Sequence, residues 1–169
     1  MPTRNRVVRL WRHLWCDRAT VRRRFPGALL SEVERRIADG EVRHGAEVRV
    51  AVEASLGVPA VWARTTPRQR ALEVFGALRV WDTEDNNGVL IYVLLADQAV
   101  EIVADRAAAR AASDAQWQAI TTQMTRAFRA GRYRDGLLGA LDQLEVVLSD
   151  AFPATGRNPD ELPNRPALL

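Results

Sequence analysis

The stretch WDTEDNNGVLIYVLLADQAVEIVADR, residues 81–106, decides the fold that we predict for this chain. After a polar, acidic opening, GVLIYVLL is apolar on both faces, which is typical of a central strand in a sheet that is covered on both sides. The short connection ADQA then leads into VEIVAD, which predicts a second strand and therefore an antiparallel hairpin. This hairpin is the centre of the predicted sheet.

A strand and a helix precede the hairpin. AEVRVAVEASL, residues 46–56, alternates apolar and polar residues, which predicts a strand with one buried face and a second face that is exposed or edge-like. TPRQRALEVFGALRVW, residues 66–81, predicts a helix, because Thr66 and Gln69 have the spacing of a capping box. The inner stripe of this helix would hold Leu72, Phe75 and Leu78. The strand–helix–strand order predicts a parallel pair with a right-handed crossover.

Helices on both sides of the sheet complete the predicted architecture. Apolar residues recur at helical spacing in residues 26–37, 113–130 and 133–149, and Ser113 and Gln116 form a second capping-box pattern. The predicted inward residues are Leu29, Leu30, Val33, Ile37, Trp117, Ile120, Met124, Phe128, Leu137, Leu141, Leu144 and Leu148. A mixed sheet between two helical layers is an α/β fold, here a three-layer α/β/α sandwich.

Length and composition predict the domain organisation and the cellular compartment. With 169 residues we predict a basic N-terminal segment at 1–24, one α/β domain at 25–151 and a Pro-rich tail packed on it at 152–169. No apolar run is long enough to predict a transmembrane helix, and arginines interrupt the stretch where a signal peptide would be apolar. Cys16 is the single cysteine and cannot form an internal disulfide, so we expect a cytoplasmic protein, peripheral to a membrane if bound to one.

The N-terminal segment is basic and amphipathic. Residues 1–24 hold eight arginines against Asp17 alone, whereas the remainder holds sixteen arginines against twenty acidic residues. A helical stripe contains Val7, Leu10, Trp11, Leu14 and Trp15. One interpretation is a helix docked on the body by its two tryptophans, and another is contact with an anionic membrane surface or another acidic partner. Nucleic acid is the least supported partner, since no nucleic-acid-binding motif is present.

Acidic and amide side chains are predicted to meet at one edge of the sheet. The crossover brings DTEDNN level with the beginning of the first strand. If Asp97 and Gln98 are the two loop residues of the hairpin, Asp105 lies opposite Leu90, near the same edge. The set that gathers there is Asp82, Asp85, Asn86, Asn87 and Asp105, with His44 and Glu47 entering the first strand beside it.

This set of oxygen donors predicts a weak Ca²⁺ or Mg²⁺ site. Carboxylate and amide oxygens suit these cations, and a cation would relieve the repulsion between neighbouring carboxylates. The alternative is that the Asp and Asn residues only shape turns and caps, and His44 by itself is expected to be a surface loop residue. An EF-hand loop counted from Asp82 is excluded, because Asn87 and Val93 stand where Gly and Glu are required.

At these residues the chain resembles the TPM domain family. The matching pieces are EVRHGAEVRVAVEASL, ALEVFGALRVWDTEDNNGVLIYVLL, VEIVADR, WQAITTQMTRAFRAGRYRDGLLGAL and NPDELPNRP. Asp82, Asn86, Asn87 and Gly88 match the D-x-x-x-N-N-G-V-L-I signature. The resemblance implies an α/β/α sandwich, divalent-cation binding and an acid phosphatase activity that is proposed for some plant members.

Two functions follow as hypotheses. The first is an accessory module, in which the cation shapes a binding surface for an unidentified protein partner and the N-terminal segment holds the domain at a membrane surface. The second is a metal-dependent hydrolase of phosphate esters, whose cation would polarise a phosphoryl oxygen or a water. In that case Arg106 would clamp the phosphate, and Glu47 or His44 would serve as the base.

Overall fold

A four-stranded mixed sheet is the centre of the computed structural model, which describes residues 2–154 and 161–169. Its strands are β1 (Val48–Glu53), β2 (Val89–Leu94), β3 (Ala99–Ala104) and β4 (Ala167–Leu168), in the order β3-β2-β1-β4. As predicted, β2 is parallel to β1 and antiparallel to β3. Strand β4, which we did not predict, pairs in parallel with β1. Residues 155–160 of the predicted tail lie outside the described residues.

The described helices include all those predicted and three short additional ones. They are α1 (Pro2–Trp15), α2 (Arg18–Arg24), α3 (Gly27–Glu41), α4 (Val58–Trp62), α5 (Pro67–Ala77), α6 (Arg106–Ala109), α7 (Asp114–Arg129) and α8 (Tyr133–Ala151). Both capping boxes are confirmed, at the beginnings of α5 and α7. Helices α2, α4 and α6 are too short for a periodic pattern to predict. Within the described ranges, no helix has the length and apolar composition needed to span a bilayer.

Helices cover both faces of the sheet, which confirms the α/β/α sandwich. On one face, valines of β1 and β2 pack against α3, α7 and α8. All predicted inward residues of these three helices are buried except Trp117, which is half-buried. On the other face, Leu90 and Tyr92 pack with Val61 of α4 and with Ala71 and Val74 of α5.

The predicted inner stripe of α5 is partly wrong. Leu72 is exposed, whereas Ala71 and Val74 are buried and Phe75 and Leu78 are only half-buried. A polar contact explains this orientation of the helix. Two nitrogens of Arg70 donate hydrogen bonds to the carboxylate of Glu53 on β1. This contact turns the Arg70 side of the helix toward the sheet, and Leu72 then points to solvent.

The polar face of β1 is not exposed, contrary to the prediction, because the C-terminal segment and α5 cover it. Glu47, Arg49 and Glu53 are all buried. The Oε2 atom of Glu47 accepts a hydrogen bond of 3.1 Å from the Leu162 amide. The guanidinium of Arg49 donates to the carbonyl oxygens of Pro163 and Arg165. Charged side chains on this face therefore bind backbone groups of the tail, and β4 takes the edge position beside β1.

The hairpin register differs by two residues from the predicted one. Leu94 pairs with Ala99 and Val89 with Ala104, so the loop has four residues instead of two. The amide of Leu95 donates to the Glu53 carbonyl at 3.0 Å, so the chain still follows β1 after its last pair with β3 at Leu94 and Ala99. A register shift of two residues keeps each side chain on its predicted face of the sheet. It also brings Asp105 next to Gly88, where its amide donates to the Gly88 carbonyl at 2.9 Å.

Helix α1 docks on the body through its polar face and not through its tryptophans. Asp97 in the hairpin loop accepts hydrogen bonds from Arg9, the shortest 2.7 Å, and lies 3.1 Å from His13 Nε2. His13 is buried, and its Nδ1 atom accepts a bond of 2.9 Å from the Leu56 amide. The ring proton of a neutral His13 is therefore on Nε2, which donates to Asp97. Trp11 and Trp15 are 56% and 77% exposed.

We expect Asp97 to make this docking sensitive to acid. Burial would raise the pKa of Asp97, but hydrogen bonds from His13 and Arg9, together with the charge of Arg9, lower it from 3.8 to about 2. Such a carboxylate contributes stability that is complete above about pH 4 and is lost as the pH falls toward 2, on the order of 2 kcal/mol.

Urea unfolding of wild type and Asp97→Asn at pH 7 and pH 2.5 measures this contribution. The difference in unfolding free energy between the two proteins should be largest at pH 7 and shrink at pH 2.5. The exposed control Asp39→Asn should show no such change. A pH-independent difference for Asp97→Asn would contradict the assignment.

Candidate functional site

The loop between α5 and β2 presents Asn87 to the interior. The Asn86 amide donates to the Thr83 carbonyl at 3.2 Å, and the Asn87 amide donates to the buried Thr83 hydroxyl at 3.1 Å. Asn86 has a φ of 53°, a left-handed conformation that Asn and Asp tolerate better than most residues. This tight turn reverses the chain and directs the next side chain inward.

Asn87 connects the loop to the beginning of β1. Its side chain is 2% exposed, and its Nδ2 atom donates to the Gly45 carbonyl at 2.6 Å. Its Oδ1 atom is buried and accepts no hydrogen bond from the described residues. A buried amide oxygen that no donor satisfies costs about 1–3 kcal/mol, which a bound water or a ligand would offset.

Asp105 lies beside this turn, at the end of β3. Backbone bonds join the two segments, from Asp105 to Gly88 at 2.9 Å and from Ala107 to Asn86 at 3.0 Å. The Oδ1 atom of Asp105 caps α6 by accepting from the Arg106 amide at 2.7 Å. Its Oδ2 atom is buried and, within residues 2–154 and 161–169, accepts no hydrogen bond. The turn and the cap thus leave two buried oxygen acceptors on adjacent segments.

The other predicted ligands lie at the surface of the same loop. Asp82, Asp85 and Asn86 are exposed. In the described part of the chain, no group of three or more His, Cys, Asp or Glu side chains is arranged to hold a metal ion. The three-carboxylate set therefore stays a prediction. Of the predicted ligands, Asn87 and Asp105 are the two that carry a buried side-chain oxygen without a hydrogen-bond donor among the described residues. Glu161, which we did not select from the sequence, reaches the loop and accepts from the Glu84 amide at 3.1 Å.

The predicted accessory residues occupy different environments. His44 is buried, not a surface loop residue as expected, because it bridges to Pro153 and packs near Gly40. Burial lowers its pKa, so the imidazole is neutral at pH 7. Glu47 is fully buried and bonded to the tail, as described above. Arg106 is exposed and directly follows Asp105.

A second polar cluster, toward the other end of β1, was missed from the sequence. The Tyr92 hydroxyl donates to Glu53 Oε2 at 2.5 Å, and Arg70 bonds to both oxygens of the same carboxylate at 2.9 and 3.0 Å. Burial, and then the bond to Glu53, raise the pKa of Tyr92, so its hydroxyl stays protonated and donates. The sequence contains one sign of this cluster, because Tyr92 carries the one polar side-chain group in the apolar stretch GVLIYVLL.

Comparisons with known proteins agree with this architecture. The sequence model of the TPM domain matches residues 25–147. The NMR structure of the BA42 protein from the psychrophilic bacterium Bizionia argentinensis is similar, with a TM-score of 0.73, 27% identity, and coverage of 84% of this chain and 93% of that one. The N-terminal domain of a protein from P. gingivalis shares the fold, with a TM-score of 0.61, 20% identity, and coverage of 75% and 77%. No curated protein matches the chain.

Proposed function

Because this chain belongs to the TPM domain family, we propose that it is an accessory interaction module whose surface is shaped by a bound divalent cation, Ca²⁺ or Mg²⁺. Asn87 and Asp105 supply the inner ligands in this proposal, and the exposed Asp82, Asp85 and Asn86 stand at the outer side of the same loop. We further propose a reducing, cytoplasmic location, which the free thiol of Cys16 supports.

The observation that carries the proposal is the pair of buried oxygens without donors. Asn87 Oδ1 and Asp105 Oδ2 belong to segments joined by two backbone hydrogen bonds, and each is shielded from water. Oxygen ligands of mixed charge suit a hard cation, and one carboxylate with amide and water ligands predicts a weak site. The expected dissociation constant is roughly 10⁻⁵–10⁻³ M.

A hydrolase would need a base that is free to take a proton from water. Of the two residues considered, Glu47 accepts a hydrogen bond from the Leu162 amide, and His44 is buried between the end of α3 and Pro153. Both contacts support a structural role for these side chains. The module is therefore the function that this geometry favours.

We predict that the cation raises the melting temperature through Asp105. At 100 times the dissociation constant, binding stabilises the fold by about 2.7 kcal/mol, which corresponds to a rise of about 5–10 °C for a chain of this size. Thermal unfolding after EDTA treatment, with and without added CaCl₂ or MgCl₂, measures the rise. Asp105→Asn should abolish most of it while keeping the helix cap, because Asn is an equally good N-cap residue.

Two further variants sharpen the assignment. Asp82→Asn tests whether the outer carboxylates are ligands, since a partial loss of the rise would extend the site to them. Asp150→Asn removes one negative charge from an exposed position at the end of α8, and it should leave the rise in melting temperature intact. An equal rise in wild type and Asp105→Asn would refute the site. Cation-dependent release of phosphate from p-nitrophenyl phosphate, lost in Asp105→Asn, would instead assign the hydrolase.

A further inference from the structure

The exposed face of α1 is apolar, although the helix is docked on a folded domain. Arg9 and His13 face the body and Leu10 is half-buried, so the opposite side of the helix is turned to solvent. The exposed apolar side chains on that side, here called the α1 face, are Val7, Val8, Trp11, Leu14 and Trp15. A helix usually docks by its apolar stripe, so this inverted orientation leaves a surface that needs a partner.

Helix α4 extends the apolar surface of this region. It packs against α1 and exposes Val58 and Trp62, the latter by 67%. Three tryptophans are thus exposed on two neighbouring helices. Tryptophan has an apolar body and a polar indole N–H, and it concentrates where an apolar phase meets water.

Exposed arginines lie on α1 and on the next helix, α2. Arg12 is exposed on α1, and Arg18, Arg22 and Arg23 are exposed on α2. Asp17, which caps α2, is the single acidic residue in the first 24 positions of the sequence. The N-terminal segment therefore has a positive charge that the rest of the chain does not share, and a negatively charged partner complements it.

We propose that the α1 face binds the surface of an anionic lipid bilayer. A helix with large apolar residues on one side and arginines beside them lies in the plane of the interface, with its apolar side buried about 5–10 Å. A second copy of this chain fits less well, because a symmetric contact through this face would bring two arginine-rich segments together. The inference is independent of the cation site, which lies on the loop before β2.

The hairpin loop gives the α1 face its orientation in this proposal. Asp97 bonds to Arg9 and His13 on the inward side of α1, and this holds Trp11 and Trp15 outward. Membrane contact then requires no release of the helix from the body. The docked domain would face the bilayer with α1, α2 and α4.

Vesicle flotation of the full-length protein tests the proposal. We expect binding to vesicles of 70% phosphatidylcholine and 30% phosphatidylglycerol at 0.05 M NaCl, and little binding to pure phosphatidylcholine. Trp11→Ser/Trp15→Ser should reduce binding at least about tenfold, through the loss of buried apolar area. Arg22→Gln/Arg23→Gln should reduce it roughly 25-fold, since each arginine near such a surface strengthens binding about fivefold.

Trp81→Ser is the matched control, because Trp81 is also exposed but lies in the loop after α5. It should bind as wild type does, and both tryptophan variants should keep the wild-type circular dichroism, since the side chains removed are exposed. Failure of wild type to bind anionic vesicles would overturn the proposal, as would binding unchanged by the Trp11/Trp15 substitutions. A dimer in light scattering without vesicles, abolished by the same substitutions, would reassign the face to self-association and also overturn it.

Discussion

Replacing Gly88 with alanine is expected to destabilise the domain by roughly 3–4 kcal/mol or to prevent folding. A Cβ atom at this position would lie 2.0 Å from the Val80 carbonyl oxygen and 3.1 Å from Val80 Cγ1. Val80 is fully buried and its amide is bonded to the Phe75 carbonyl, so the backbone it meets cannot move aside freely. Overpacking of a core typically costs about 1–3 kcal/mol, and a clash with backbone lies at the upper end or above it.

Gly76→Ala is the matched control for this prediction. An added Cβ there meets no atom within 4 Å apart from its chain neighbours and the backbone of its own helix, α5. Alanine should therefore stabilise the helix by about 0.5–1 kcal/mol. Urea unfolding of both variants measures the two changes. If Gly88→Ala were as stable as wild type, the close approach of the loop to Val80 would be refuted, and with it the position of Asn87.

Replacing Glu53 with glutamine is expected to cost about 3 kcal/mol. The carboxylate is buried, and it accepts two hydrogen bonds from Arg70 and one from Tyr92. Glutamine removes the charge and one acceptor, which leaves Arg70 without its buried counter-ion. Breaking a buried pair by changing one partner typically costs about 3–5 kcal/mol, and the partial exposure of Arg70 places the estimate at the lower end.

Glu73 provides a control on the same arginine. It pairs with Arg70 at 2.9 Å but is 58% exposed, so Glu73→Gln should change stability by less than about 0.5 kcal/mol. Tyr92→Phe should cost about 1–2 kcal/mol. The double variant Glu53→Gln/Tyr92→Phe should cost less than the sum of the single changes, because the two groups share one bond. Equal effects of Glu53→Gln and Glu73→Gln would show that the network is not buried.

Helix and strand positions were predictable because they depend on local signals. Both capping boxes and the inward residues of α3, α7 and α8 follow from spacing alone, and the two pairings of β2 follow from the order of the elements. The candidate site was only partly predictable. Topology indicated which residues approach the sheet edge, but the two buried oxygens depend on how the turn at Asn86 and the cap at Asp105 direct each side chain.

The sequence by itself determined the α/β/α architecture, because apolar periodicity specifies which face of each element is buried. It also indicated the family, through the signature that ends in NNGVLI. The tertiary structure decided what covers the polar faces. Glu47, Arg49 and Glu53 are buried because distant segments supply the hydrogen bonds that a buried polar group requires. The same rule orients α1, in which Arg9 and His13 face Asp97 and the tryptophans face outward. Local periodicity contains no information about a partner 88 residues away along the chain, so only the folded structure shows which face of α1 is free.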